Sequence, residues 1–69
     1  MHSFPQWHDA DGKIIACTEK IKVMQQNMSE LQQMAQDAFE DALLMQCDET
    51  QVREFLLDMM MSLINPYQK

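Results

Sequence analysis

Turn-forming residues are scarce in this chain, which has one glycine and two prolines in 69 residues. A single glycine excludes the glycine-rich loops that cradle phosphate groups. β-Branched residues are few and scattered, and no Asn-Gly pair marks a hairpin, so a sheet protein is not expected. Apolar residues nevertheless make up 46% of the chain, which is too many for a disordered protein. The composition therefore predicts an all-α fold.

Cysteines and long apolar runs are also few. Cys17 and Cys47 are the only cysteines, too few to staple a small secreted domain. The N-terminus lacks the charged and then apolar pattern of a signal peptide. Apolar runs such as residues 55–57 and residues 59–63, the latter interrupted by Ser62, are far short of the ~20 residues that span a bilayer. We therefore expect a cytoplasmic protein with no membrane segment.

Basic residues are outnumbered, with five against eleven acidic ones. Residues 23–69 hold eight acids and only two basic residues, Arg53 and Lys69. A chain without a basic stripe cannot neutralise phosphates, so nucleic-acid binding is not expected. An anionic membrane surface would repel it as well. Neutral or basic protein partners are favoured.

A non-helical arm and a long helix are predicted first. Residues 1–12 contain Pro5 and Gly12 and have no helical periodicity, so they predict an N-terminal arm ahead of a helical hairpin domain over residues 13–69. Asp11 is the predicted N-cap. Apolar or small residues then alternate at spacings of three and four, which is a heptad seam and predicts a helix over about residues 13–46. The seam consists of Ile14, Cys17, Ile21, Met24, Met28, Leu31, Ala35, Ala38, Ala42 and Met45.

An alternative breaks this helix. Ser29 followed by Gln32 has the form of a capping box, so a break near residues 27–29 would give a three-helix bundle. The heptad phase continues unchanged across these residues, which favours one helix.

The second helix is predicted over about residues 49–64. Asp48 followed by Gln51 is a capping-box pattern, and Pro66 prevents a helix from continuing past Asn65. This helix is apolar nearly all round. One face has Val52, Phe55, Leu56, Met59 and Leu63, and Leu57, Met60, Met61 and Ile64 extend onto the other.

The surplus of apolar surface predicts a homodimer. A helix that is apolar all round is normally buried, and one neighbouring helix cannot cover it. A chain of this length also has a marginal core of its own. Two antiparallel hairpins associating with two-fold symmetry would form a four-helix bundle. The predicted dimer or partner interface comprises Ile21, Met24, Met28, Leu56, Leu57, Met60, Met61 and Ile64.

Residues with metal or catalytic chemistry form no recognisable constellation. Eight methionines with two cysteines and two histidines provide soft ligands for copper(I), so a metal- or redox-responsive protein is the alternative hypothesis. Four of the methionines, however, fall at packing positions, where methionine fills core space. These are Met24, Met28 and Met45 on the seam and Met59 on the second helix. His2 and His8 have no zinc-ligand spacing. We therefore predict no enzyme activity, no cofactor and no metal. The predicted function is a homodimeric protein-interaction or regulatory module.

Overall fold

A computed structural model describes residues 3–67, which form two α-helices and no strand. Helix α1 spans Thr18–Leu44 and helix α2 spans Glu49–Met61. The all-α prediction is confirmed, and a long helix followed by a shorter one is consistent with a helical hairpin. Residues 1–2 and 68–69 of the predicted arm and hairpin domain lie outside the described residues.

Helix α1 is unbroken, because residues 27–29 lie well inside it. The alternative of a three-helix bundle with a break at these residues is therefore wrong. Glycine and proline are absent between Gly12 and Pro66, and the strong helix formers Gln, Met, Ala, Leu and Glu dominate the segment. The chain divides into two compact units, Met1–Gln36 and Asp37–Lys69.

The N-terminal arm reverses direction within the first unit. His8 and Ile14 form an antiparallel bridge, and the Ile15 amide donates to the Trp7 carbonyl at 2.9 Å. Gly12, with φ +85°, allows the tight turn between them. The backbone of residues 13–15 is thus bonded across the turn, so α1 begins at Thr18 and not near residue 13 as predicted.

The carboxylate of Asp9, and not that of Asp11, stabilises this turn. The Asp9 carboxylate accepts hydrogen bonds from the backbone amides of Asp11 and Lys13, each at 2.9 Å. The Asp9 amide donates to the Lys13 carbonyl at 2.8 Å. Asp11 contributes its backbone to the turn and does not cap α1, so the predicted N-cap is wrong.

Helix α1 ends two residues before the predicted Gln46. Gln46 adopts a left-handed conformation with φ +65°, and its amide donates to the Leu43 carbonyl at 3.0 Å. The Cys47 amide donates to the Ala42 carbonyl at 3.0 Å. This pair of bonds is a Schellman motif, which satisfies carbonyls at the helix end and turns the chain away.

Helix α2 begins where the sequence predicts and ends early. The Asp48 carboxylate accepts from the Gln51 amide at 2.9 Å, so Asp48 is the N-cap as predicted. At the other end the Ser62 hydroxyl donates to the Met59 carbonyl at 2.7 Å. The Ser62 and Leu63 amides donate to carbonyls three or four residues earlier. The helix therefore ends at Met61, three residues before Ile64.

Candidate interaction surface

No residue among residues 3–67 is buried, so the molecule is best described by its half-buried and exposed faces. In the first unit the arm contributes Phe4, Trp7 and Ile15 as half-buried residues. The Trp7 indole nitrogen is enclosed and has no hydrogen-bond acceptor.

The half-buried stripe of α1 lies beside the predicted seam. The half-buried positions of α1 that lie within the first unit are Ile21, Met24, Gln25, Ser29, Gln32 and Ala35. Ile21 and Met24 therefore lie on the better covered side of the helix. Met28 and Leu31, also seam residues, remain 40% and 42% exposed. Part of the seam is thus open to solvent, and the polar residues Ser29 and Gln32 are less exposed than the adjacent seam residues Met28 and Leu31.

In the second unit α2 turns one narrow stripe inward. Val52, Leu56 and Met60 are half-buried, and their spacing of four residues places them along one side of the helix. The sequence assigned Met60 to the opposite side from Leu56, and this assignment is wrong. Phe39 and Ala42 of α1 are the other half-buried residues of this unit.

Arg53 links the two helical segments of the second unit. Its guanidinium carbon lies 4.6 Å from the centre of the Phe39 ring, which is a cation–π contact. Its Nε also donates to the Glu49 carboxylate at 2.9 Å, one turn earlier on α2. Sequence reasoning missed the contact with Phe39, because no local pattern pairs residues so far apart in the chain.

The outer side of α2 is apolar and exposed. Leu57 is 63% exposed, Met61 78% and Ile64, just after the helix, 85%. Phe55, Met59 and Leu63 are also exposed. Of the eight predicted interface residues, Leu56, Leu57, Met60, Met61 and Ile64 belong to the second unit and Ile21, Met24 and Met28 to the first. Their role as an interface stays a prediction.

Acidic side chains accompany this apolar surface. The second unit carries seven of the eleven acids of the chain, and Arg53 and Lys69 are its only basic residues. The first unit is nearly balanced, with three lysines against four acids. A surface that combines flexible apolar side chains with negative charge is suited to neutral or basic partners.

The soft ligands of the chain are dispersed. Cys17 and Cys47 are both exposed and unbridged, and they flank α1 at its two ends. Among residues 3–67 no group of three or more His, Cys, Asp or Glu side chains is placed to hold a metal ion. His2 lies outside the described residues. A site built from methionine and cysteine stays a prediction, which copper(I) titration under reducing conditions tests.

Neither described helix combines the length and the apolar character that crossing a membrane requires. Comparison of the chain with models of protein families, with curated proteins and with solved structures gives no significant match.

Proposed function

We propose that this chain is a non-enzymatic, cytoplasmic protein-interaction module that works as a homodimer. Two hairpins would associate into a four-helix bundle, and the acidic and methionine-rich surface that this dimer leaves exposed would be available to a further protein partner. The assignment to the cytoplasm rests on the two unbridged cysteines, which a reducing compartment keeps as thiols.

The observation that carries this proposal is the exposure of large apolar side chains within each unit. No side chain among residues 3–67 is buried. In the second unit Leu57, Met61 and Ile64 are 63%, 78% and 85% exposed, and in the first unit Met28 is 40% exposed. A single copy therefore leaves in water apolar surface whose burial would stabilise the fold.

A second copy can cover these side chains. Obligate homodimers bury about 1,000–2,500 Å² from each copy, and their interfaces are more apolar than the rest of the surface. Contiguous exposed apolar residues on a protein generally mark such interfaces, and Leu57, Met61 and Ile64 are large apolar residues exposed at one end of the second unit's α2 segment.

The same surface supports an interaction role better than catalysis. Enzyme sites are concave and place a few polar or titratable groups together within an apolar pocket. All seven acids of the second unit are instead exposed, as are Leu57 and Met61. Methionine side chains adapt to different partner shapes because they are unbranched and polarisable.

Sedimentation equilibrium of the full chain tests the homodimer. We expect a mass of twice 8.1 kDa at micromolar concentration. Leu57→Asp places a charge on the exposed apolar side of α2, where Leu57 is 63% exposed, and we expect it to raise the dimer dissociation constant at least about 100-fold.

Glu40→Gln is the matched control, because it changes an exposed acid of the same unit without touching the apolar stripe. We expect it to change the dissociation constant less than about twofold. A wild-type chain that is monomeric at micromolar concentration and still cooperatively folded would contradict the proposal.

A further inference from the structure

Helix α1 carries a seam whose side chains change size along its length. Because α1 is one α-helix from Thr18 to Leu44, residues at heptad spacing share one face. The first half of the seam has the large residues Ile21, Met24 and Met28, and the second half has only Ala35, Ala38 and Ala42, with Leu31 between them. Ile21, Met24, Ala35 and Ala42 are half-buried within their own units and keep part of their surface free, whereas Met28, Leu31 and Ala38 are exposed.

The size gradient distinguishes the two ways in which a second copy can pair with this face. In a parallel pair, each residue faces its own counterpart, so three alanine layers would follow three layers of large side chains. The distance between helix axes depends on the facing side chains, so such a pair would be wide at one end and would leave voids at the other. Voids forfeit packing energy.

An antiparallel pair gives uniform layers. Ile21 then faces Ala38 of the second copy, and Met24 faces Ala35. Met28 faces Leu31 near the two-fold axis. Each outer layer combines one large and one small side chain, which is the arrangement that lets facing helices interdigitate at constant separation. We propose that this seam binds a second copy of the chain, with the two α1 helices antiparallel.

Charge favours the same orientation. Lys20 and Asp41 are exposed and flank the seam on the same side, at opposite ends of α1. Antiparallel pairing brings Lys20 of each copy towards Asp41 of the other, which gives two ion pairs related by symmetry. In a parallel pair these residues lie about 30 Å apart along the helices. The other flank has uncharged Gln25 and Gln32, which can face each other across the axis.

This inference deepens the proposed homodimer and rests on it. Packing decides the orientation, because an exposed ion pair adds only about 0.2–1 kcal/mol. The charge pattern provides an independent readout, however, because it distinguishes antiparallel from parallel pairs without changing the seam.

The two native cysteines report the orientation directly. Cys17 immediately precedes α1, and Cys47 lies three residues after it, so about 40 Å of helix separates them within one copy. An antiparallel pair brings Cys17 of one copy near Cys47 of the other. A parallel pair instead places like cysteines together. Both thiols are exposed and can react with a short bismaleimide cross-linker.

We expect the wild-type dimer to give a covalent dimer whose peptides join Cys17 to Cys47. Cys17→Ser and Cys47→Ser should each reduce the yield of covalent dimer at least about tenfold, because like cysteines are far apart in the antiparallel pair. A noncovalent dimer that gives Cys17–Cys17 or Cys47–Cys47 products, or no Cys17–Cys47 product, would overturn the antiparallel orientation. A monomeric mass in sedimentation before cross-linking would instead contradict the homodimer itself.

Charge reversal provides the second measurement. Lys20→Glu and Asp41→Lys should each weaken self-association about tenfold, because each creates two like-charge contacts across the antiparallel pair. Mixing the two variants should restore association, because every contact between residues 20 and 41 in the mixed dimer joins opposite charges. Absence of this rescue would overturn the orientation even if both variants remain dimeric.

Discussion

The chain reverses direction before α1 and again after it, and the two reversals use different residues for the same conformational task. Each places one residue at positive φ: Gly12 at +85° in the arm and Gln46 at +65° between the helices. Each also uses one aspartate carboxylate, Asp9 or Asp48, to accept backbone amides. Glycine adopts this conformation without a steric penalty, whereas glutamine does not.

The difference matters because the first reversal fixes only the arm, whereas the second fixes the ends of two helices. The arm turn joins Trp7 to Ile15 and leaves α1 to begin beyond it. The second reversal sets the end of α1 and the start of α2 within six residues. A strained or uncapped residue in the second reversal destabilises both helices. We therefore expect substitutions at Asp48 and Gln46 to change the free energy of unfolding of the chain, and substitutions at Asp9 to change only the structure of the arm.

Asp48→Ala is the change with the largest expected effect on this comparison. It removes the carboxylate that accepts the Gln51 amide at 2.9 Å, and losing an N-cap typically costs about 1 kcal/mol. We expect Tm to fall by about 4–8 °C in thermal unfolding at fixed protein concentration. Asp48→Asn retains a side-chain acceptor and should stay close to wild type. Equal loss in both variants would contradict a capping role.

Gln46→Gly should have a somewhat smaller effect of opposite sign. Glycine at the left-handed position of a Schellman motif relieves the steric cost that a side chain imposes there. Its greater freedom in the unfolded chain offsets part of this gain. The net stabilisation should be about 0.5–1 kcal/mol, measured as a rise in the urea midpoint with an unchanged slope.

The control for this change is a glycine in the same helix end without positive φ. Met45→Gly should destabilise the chain, because Met45 precedes the left-handed residue and gains nothing from the glycine. If both glycine variants lowered the urea midpoint, the left-handed residue at position 46 would not be a source of strain.

Local patterns in the sequence predicted the parts of the fold that depend on neighbouring residues. The N-cap at Asp48 follows from its spacing to Gln51, and the continuity of α1 follows from an unbroken heptad phase through residues 27–29. The early end of α1 could not be predicted, because glutamine has no preference for the left-handed conformation that terminates the helix. Likewise, Lys13 to Cys17 are compatible with helix, and only bonds across the arm turn exclude it.

The sequence predicted which residues make the surface of α2 apolar, but it did not correctly predict on which side of the helix each of them lies. An apolar excess on α2 is visible from Leu57, Met61 and Ile64, all of which are exposed. The side of α2 that faces its own unit carries Val52, Leu56 and Met60. Met60 was placed on the wrong side although it follows Leu56 by four residues, a spacing that puts both on one side of a helix. The contact of Arg53 with Phe39, by contrast, joins residues far apart in the chain, and no local pattern predicts it.

Asp9→Ala should have the smallest effect on global stability and a clear local one. It removes the acceptor for the Asp11 and Lys13 amides, so the arm turn should open and Trp7 should become more exposed. Trp7 is the only tryptophan, so its fluorescence emission should shift to longer wavelength. Helix content measured by far-ultraviolet circular dichroism should be unchanged, because α1 begins beyond the turn.

Asp11→Ala is the matched control, since Asp11 contributes its backbone amide to the turn and keeps it after substitution. If Asp11→Ala shifted the emission as much as Asp9→Ala, the turn would not depend on the Asp9 carboxylate. A loss of helix in Asp9→Ala would show that the arm stabilises α1, and the two reversals would then not differ in the way described above.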